Sequence, residues 1–330
     1  MQFQYPELNN IDEDDLDFLE QLNQEDEKRR FIALMNIADE EREDLLPWLH
    51  YALAHDPASL VRLEAAKRLE GWEDPYSLNA LAGALLDLDA EVVAAATQSL
   101  SEVKQAQSAE VLVGYLAKEE TAVKVAILRA LKPLRDLSFY QEIEKHIHHT
   151  DVLVRREAVS TLSWLQQEQA VSSLSQIARN DPDLETRRIA TGGLGYVKQA
   201  HPEVIDALAY GLASQDWQLR VESALTIGKL KLASLEENLV ELLYDTYWQV
   251  RIAVVRSLGL IKSKQALDGL AHNFDFEISN LRKEVALALG EIGGNQAKQL
   301  LQNHADDPDP EVRKAIRIGL GLILEQASAE

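Results

Sequence analysis

The sequence contains no cysteine, which excludes a disulfide framework, a Cys-ligated zinc and a Cys nucleophile. Cations are scarce as well: 33 Lys and Arg stand against 55 Asp and Glu, for a formal net charge of −22. A field this negative repels phosphate backbones and anionic membranes and supplies no counterion-release drive, so neither nucleic acid nor a membrane is expected as a partner. No apolar run approaches the length of a membrane span. The opening residues, MQFQYPELNNIDEDD, lack the basic flank and apolar stretch of a secretory signal, which makes the cytoplasm the expected compartment. The charge is uneven. Residues 1–120 hold 27 acids and 9 bases, a net of −18. One reading of that acidic third is a lure for a basic partner; the simpler one is solubility.

What is present is a repeat. In DPDPEVRKAIRIGLGLI, from Asp307 to Ile323, Asp309 can cap a helix, Pro310 fits its first turn and Glu311 suits the positive end of the dipole. Ala315, Ile316, Leu320 and Ile323 follow Arg313 at helical spacing. The phrase returns at Arg30, Arg62, Val93, Lys124, Arg155, Arg187, Arg220, Arg251, Arg282 and Arg313, a period of about 31 residues. Such an array grows by stacking rather than by closing separate cores. The expected fold is therefore all-α, a right-handed α-solenoid of about ten helix pairs over residues 25–330, with no strands. Residues 1–24 are acidic and carry no base. They read as an N-terminal segment passing through a short amphipathic helix (Leu16, Phe18, Leu19, Leu22) into a cap for the first repeat.

Within each repeat an Arg-anchored helix, such as Leu60 to Trp72, alternates with an apolar one, such as Leu78 to Leu86 or Pro202 to Ala213. Asp-Pro pairs at 56–57, 181–182 and 307–308 punctuate the joints. The anchor arginines are expected to form a ladder, bonding carbonyls or the Asp before the next helix, as at Asp183, Asp216 and Asp309. A glycine stands eight residues after the anchor in the last five repeats: Gly195, Gly228, Gly259, Gly290 and Gly321. Glycine weakens a helix interior by about 1 kcal/mol, so its recurrence calls for close approach of the neighbouring repeat's helix.

Repeats such as DPDPEVRKAIRIGLGLI and NDPDLETRRIATGGLGYV resemble the HEAT-like repeats of the phycobilisome-lyase type, over residues 25 to 325. That resemblance implies a helical solenoid and admits bilin lyase subunits, iron hydroxylases and plain binding scaffolds. The hydroxylase branch carries His-Glu pairs directly after the anchor that hold two irons. Here Glu64, Glu157, Glu222 and Glu284 keep the Glu, but the His slots hold Leu63, Arg156, Val221 and Lys283. Without imidazoles the iron reading fails, and no metal or other cofactor is expected. The four glutamates fall on the exposed face of a helical wheel and read as solvated. His146, His148 and His149 resemble a metal cluster only in composition; they read as a helix end meeting the dipole. No Ser-His-Asp set or phosphate loop is present in a plausible context, so no catalytic residue is assigned.

Repeats seven and eight depart from the pattern. Three residues before the anchor stand Trp217 and Trp248, with Tyr247 beside the second. One residue after it come Val221 and Ile252, and five after it Leu225 and Arg256. The slot after the anchor holds Arg156, Arg188, Lys283 and Lys314 in neighbouring repeats. A slot that accepts four long cations reaches water, so its apolar occupants should form an aromatic patch with a basic border. The competing reading has both tryptophans plugging the joints between repeats. The functional expectation is a non-catalytic adaptor that holds a protein segment along its inner face. The alternative is a bilin lyase-like subunit or chromophore chaperone, the patch taking a flat tetrapyrrole with two carboxylates. A base glycosylase built of similar repeats is disfavoured by charge.

Overall fold

The computed structural model describes residues 3–9, 12–199 and 201–329. Among them every regular element is helical and no strand occurs. The chain divides into two compact units, 1–165 and 166–330.

The first unit contains α1 (Leu16–Leu22), α2 (Glu27–Asp39), α3 (Leu46–His55), α4 (Ser59–Arg68), α5 (Pro75–Ala84), α6 (Ala90–Ser101), α7 (Ser108–Leu112), α8 (Thr121–Leu131), α9 (Tyr140–Glu144) and α10 (Val152–Leu165). The second contains α11 (Val171–Asn180), α12 (Leu184–Gly193), α13 (Pro202–Leu212), α14 (Trp217–Leu230), α15 (Glu236–Glu241), α16 (Trp248–Ile261), α17 (Leu267–Phe274), α18 (Ser279–Ile292), α19 (Gly294–Asn303) and α20 (Pro310–Ala329). The even-numbered helices carry the anchors. Within each unit the pairs stack as an α-solenoid, as the repeat requires.

The helix starts follow from the sequence. Asp89, Asp183 and Asp216 accept backbone N–H groups of α6, α12 and α14, satisfying donors that a helix N-terminus leaves free. The core runs between the two helix layers: Val61, Ala65 and Leu69 from α4 and the residue after it, and Leu219, Ala224 and Ile227 from α14, are fully buried. In the second unit the glycines explain how closely the anchor helices stack. A Cβ on Gly228 would lie 2.7 Å from the Ser257 Cα, and one on Gly290 would lie 2.5 Å from the Gly319 Cα. Gly259 meets Ala288 in the same way. Gly195 faces only the Lys229 side chain, and Gly321, in the last repeat, faces open space.

The arginine ladder is present, with a different aspartate from the one expected. Arg30, Arg62, Arg220 and Arg282 reach the Asp six residues before the next anchor, not the position two residues further on, whereas Arg187, with Ser214 at the corresponding place, donates its Nε–H to the Ala178 carbonyl. Arg30 pairs with Asp56 (2.8 and 2.9 Å), Arg62 with Asp87, Arg220 with Asp245 (2.8 and 3.0 Å) and Arg282 with Asp307, each through two nitrogens. The other end of each guanidinium donates to the carbonyl six residues upstream, as Arg62 does to Asp56 and Arg313 to Asp307. One aspartate thus joins two repeats, its side chain to the preceding anchor and its carbonyl to its own. The N-cap aspartates Asp183 and Asp216 are engaged with their own helices. Where Phe276 replaces the aspartate, the Arg251 guanidinium lies 4.7 Å above its ring centroid.

The N-terminal segment is packed onto the first repeats. Tyr5 is buried and its hydroxyl donates to Asp56, the Trp48 indole N–H donates to the Pro6 carbonyl, and the Tyr51 hydroxyl donates to that of Gln4. In α1, Leu19 and Leu22 face inward while Leu16 is exposed.

Candidate functional site

The patch residues lie on one side of α14 and α16. An anchor helix buries the residue before the anchor and those three, four and seven after it, because these point into the core or onto neighbouring helices: Leu219, Ser223, Ala224 and Ile227 in α14. Positions three before and one, five and nine after the anchor are then left together on the outer stripe, four residues apart. On α14 these are Trp217, Val221, Leu225 and Lys229; on α16 they are Trp248, Ile252, Arg256 and Leu260. Trp248 is 37 % exposed, Tyr247 45 % and Leu260 46 %, while Trp217, Val221 and Ile252 are half-buried.

Trp217 and Tyr247 stack, with ring centroids 5.8 Å apart and planes 11° from parallel. Arg220, held by Asp245, lies 5.6 Å from the Tyr247 centroid on the same joint. Trp217 therefore packs across the joint of repeats seven and eight, whereas Trp248 stands at the surface. Two further apolar side chains on the same stripe of α12 and the turn after it, Leu184 and Tyr196, are exposed. Sequence reasoning missed these and Leu260. Leu184 occupies the same slot of its repeat as Trp217, three before the anchor, and Tyr196 and Leu260 stand nine after it, one turn beyond the slot of Leu225 and Arg256.

Three of the border cations, Arg188, Arg256 and Lys314, stand against carboxylates. Arg188 bonds Glu185 and Glu222, and Arg256 bonds Glu284 at 2.7 Å. Lys314 stands 3.7 Å from Glu311, Lys283 is half-buried on α18, and Arg156 belongs to α10 in the first unit. These contacts also correct the reading of the four glutamates as solvated. Glu157, Glu222 and Glu284 accept ion pairs from Arg129, Arg188 and Arg256 of the preceding anchor helix, and Glu64 accepts one from Arg68. Glu157, Glu222 and Glu284 point at the neighbouring repeat, a direction that a single-helix wheel does not represent, while Glu64 bonds within α4 to Arg68, which itself reaches Asp39 of α2. Burial pushes the Glu222 carboxyl above the usual range, with Arg188 pulling against it.

Among the described residues no three His, Asp or Glu side chains converge as a metal site. His146 and His149 lie in the turn after α9, their centroids 6.1 Å apart, and the His149 Nδ1 accepts the Asp151 N–H. Nor, among the described residues, is any helix long and apolar enough to cross a membrane.

The HEAT repeats profile matches residues 16–101, 46–132, 109–195 and 235–321. No curated protein matches the sequence. Among solved structures, an engineered protein is 19 % identical with a TM-score of 0.52, over 93 % of this chain and 98 % of its own. The Escherichia coli protein YibA is 16 % identical with a TM-score of 0.51, over 91 % and 99 %. A mutant Kap121p is 14 % identical with a TM-score of 0.55, over 93 % of this chain and 37 % of its own. At these identities the structural likeness speaks for fold alone. Solenoids of this kind generally serve as protein-interaction platforms, because stacked repeats present an extended surface. With the profile covering most of its length, the chain belongs to the HEAT repeat family.

Proposed function

We propose that this protein is a non-catalytic scaffold holding a segment of a partner protein along the anchor-helix face of its second unit. The observation that carries the reading is the exposed apolar stripe of Leu225, Tyr247, Trp248 and Leu260 on two adjacent repeats. Large exposed apolar groups set side by side mark interaction surfaces, and Trp and Tyr dominate binding hot spots. Arg188 and Arg256, already balanced by Glu222 and Glu284, form a polar rim rather than a lure for an acidic partner. Affinity capture from cell extract with wild-type protein and with Ile252→Asp tests it. A protein retained by the first and lost with the second, with both melting alike in urea, supports the reading. Identical retention refutes it.

Residues 1–24 act, in this reading, as a cap that covers the first repeat, and the acidic, cysteine-free chain fits a cytoplasmic protein. The flat Trp217–Tyr247 stack favours one alternative, a tetrapyrrole carrier of the phycobilisome-lyase type. Its weakness is the border, since two of the arginines that would meet the propionates are spent on glutamates. Absorbance titration with biliverdin separates the readings: a red-shifted one-to-one complex lost in Trp248→Ala favours the carrier.

A further inference from the structure

We propose that the furrow between α3 and α5 in the first unit docks an extended, Lys- or Arg-bearing segment of a partner protein, at a site separate from the stripe on the second unit. The furrow exists because the facing side chains are small. Ala54 on α3 and Ala80 and Gly83 on α5 line it, and a Cβ added at Gly83 would meet nothing within 4 Å. A cavity of about 1230 Å³ and a smaller one of about 470 Å³ share Ala54, His55, Asn79 and Ala80, so one trough follows the helix pair. A ten-residue helix such as α5 is about 15 Å long, the span of roughly five extended residues.

The chemistry of the wide end selects a cation. Trp72 and Tyr76 line it with Glu43, Glu73 and Asp74, and no Lys or Arg is among its lining residues. Glu43 is exposed, and Glu73 and Asp74 are held by neutral donors that do not cancel their charge. Glu73 accepts the Lys104 and Gln105 N–H groups and the Ser108 hydroxyl. Asp74 accepts the Tyr76 and Ser77 N–H groups with one oxygen, and its other oxygen is buried without a hydrogen-bond partner. Tyr76 is 77 % exposed beside them. An ammonium or guanidinium there would meet fixed carboxylates and an aromatic face together. The narrower end supplies exposed Leu86 and Leu88 for an apolar neighbour in the same segment, and its one arginine, Arg62, is locked to Asp87. The net charge of −18 over residues 1–120 adds a long-range field of the matching sign.

The test is fluorescence anisotropy of a fluorescein-labelled alternating Arg-Leu octapeptide with the full chain at physiological ionic strength. One-to-one saturable binding is expected, weakened about ten-fold or more by Tyr76→Ala and by Glu43→Lys, a change of about 1.4 kcal/mol. Glu325→Lys, in the second unit and with the same net charge as Glu43→Lys, should change affinity less than about two-fold, since Glu325 does not line the furrow and an exposed charge outside it acts only through a salt-screened field. Both furrow residues are exposed, so their variants should melt like wild type; if one does not fold, the other still decides. Equal weakening by Glu325→Lys would show a diffuse field and no site, overturning the proposal. Full displacement by tetramethylammonium would show a small-cation pocket in place of a polypeptide furrow, and would also overturn it.

Discussion

Trp217 lies flat against Tyr247, 5.8 Å between centroids, and so ties repeat seven to repeat eight while Trp248, one residue beyond Tyr247, stands at the surface. The two tryptophans occupy equivalent positions three residues before an anchor, yet they should respond differently to removal. Trp217→Ala loses a stacked aromatic pair and part of its burial, and should cost about 1–2 kcal/mol of stability in a urea melt. Trp248→Ala should cost less, and under the proposed function should weaken partner binding by about 2 kcal/mol or more. Equal losses of stability for both would show that Trp248 also fastens a joint.

The ladder is the strongest polar element in the fold. Asp56 accepts from Arg30, from the Tyr5 hydroxyl and from the Ala58 N–H, and the Arg30–Asp56 pair is almost fully buried. Asp56→Ala should therefore cost about 3–5 kcal/mol, because it strands a buried guanidinium rather than simply removing a bond. The double variant Arg30→Leu, Asp56→Leu should recover much of that loss. Arg68→Ala, which removes a partly exposed side chain from an exposed Asp39 and a largely buried Glu64, should cost less, about 1–2 kcal/mol.

Much of this architecture was legible in the sequence, since a period of about 31 residues with helical spacing leaves few alternatives to a stacked array. The ladder's register was not. Asp87 and Asp89, and likewise Asp307 and Asp309, stand two residues apart at each joint, and only the folded chain shows that the earlier one turns back to the preceding anchor. The glutamates illustrate the same limit. Glu284 looks solvated on its own helix, and its partner Arg256 comes from the neighbour at a distance in sequence that no wheel displays. The stripe was legible where tryptophan marked it. Leu184, Tyr196 and Leu260 lacked so conspicuous a marker, and the furrow between α3 and α5 arises from small residues, which give no positive signal.

Stability should fall on acidification in two steps. Burial holds His50 below the ordinary imidazole value, so the unfolded chain binds that proton more readily. Its contribution is present above about pH 6.5 and is lost as pH falls through the depressed folded value. The Arg62 guanidinium holds the Asp87 carboxyl low; at Asp307 burial opposes ionisation, but the Arg282 guanidinium and the Asp309 N–H outweigh it. For both, the folded value lies below the unfolded one, so their contribution persists above about pH 4 and is lost as pH falls further. Urea melts across this range should show both slopes, and His50→Asn should reduce only the upper one, to the share left by His146, which burial also holds low.

The recurring glycine offers a test in which one substitution changes sign with position. In Gly290→Ala the new Cβ would lie 2.5 Å from the Cα of Gly319, a backbone atom that cannot rotate away. The two helices must separate, at a cost of about 1–3 kcal/mol. Gly259→Ala meets the Ala288 Cα at 3.0 Å and should be destabilising by a smaller amount within that range. Gly321 occupies the same position in the last repeat, inside α20, with nothing within 4 Å of an added Cβ. Gly321→Ala meets no steric penalty there and gains helix propensity, so it should raise stability by up to about 1 kcal/mol. Urea midpoints that fall for Gly290→Ala and rise for Gly321→Ala would show that the glycine serves inter-repeat approach. A loss of similar size at Gly321 would instead tie it to something intrinsic to its own helix.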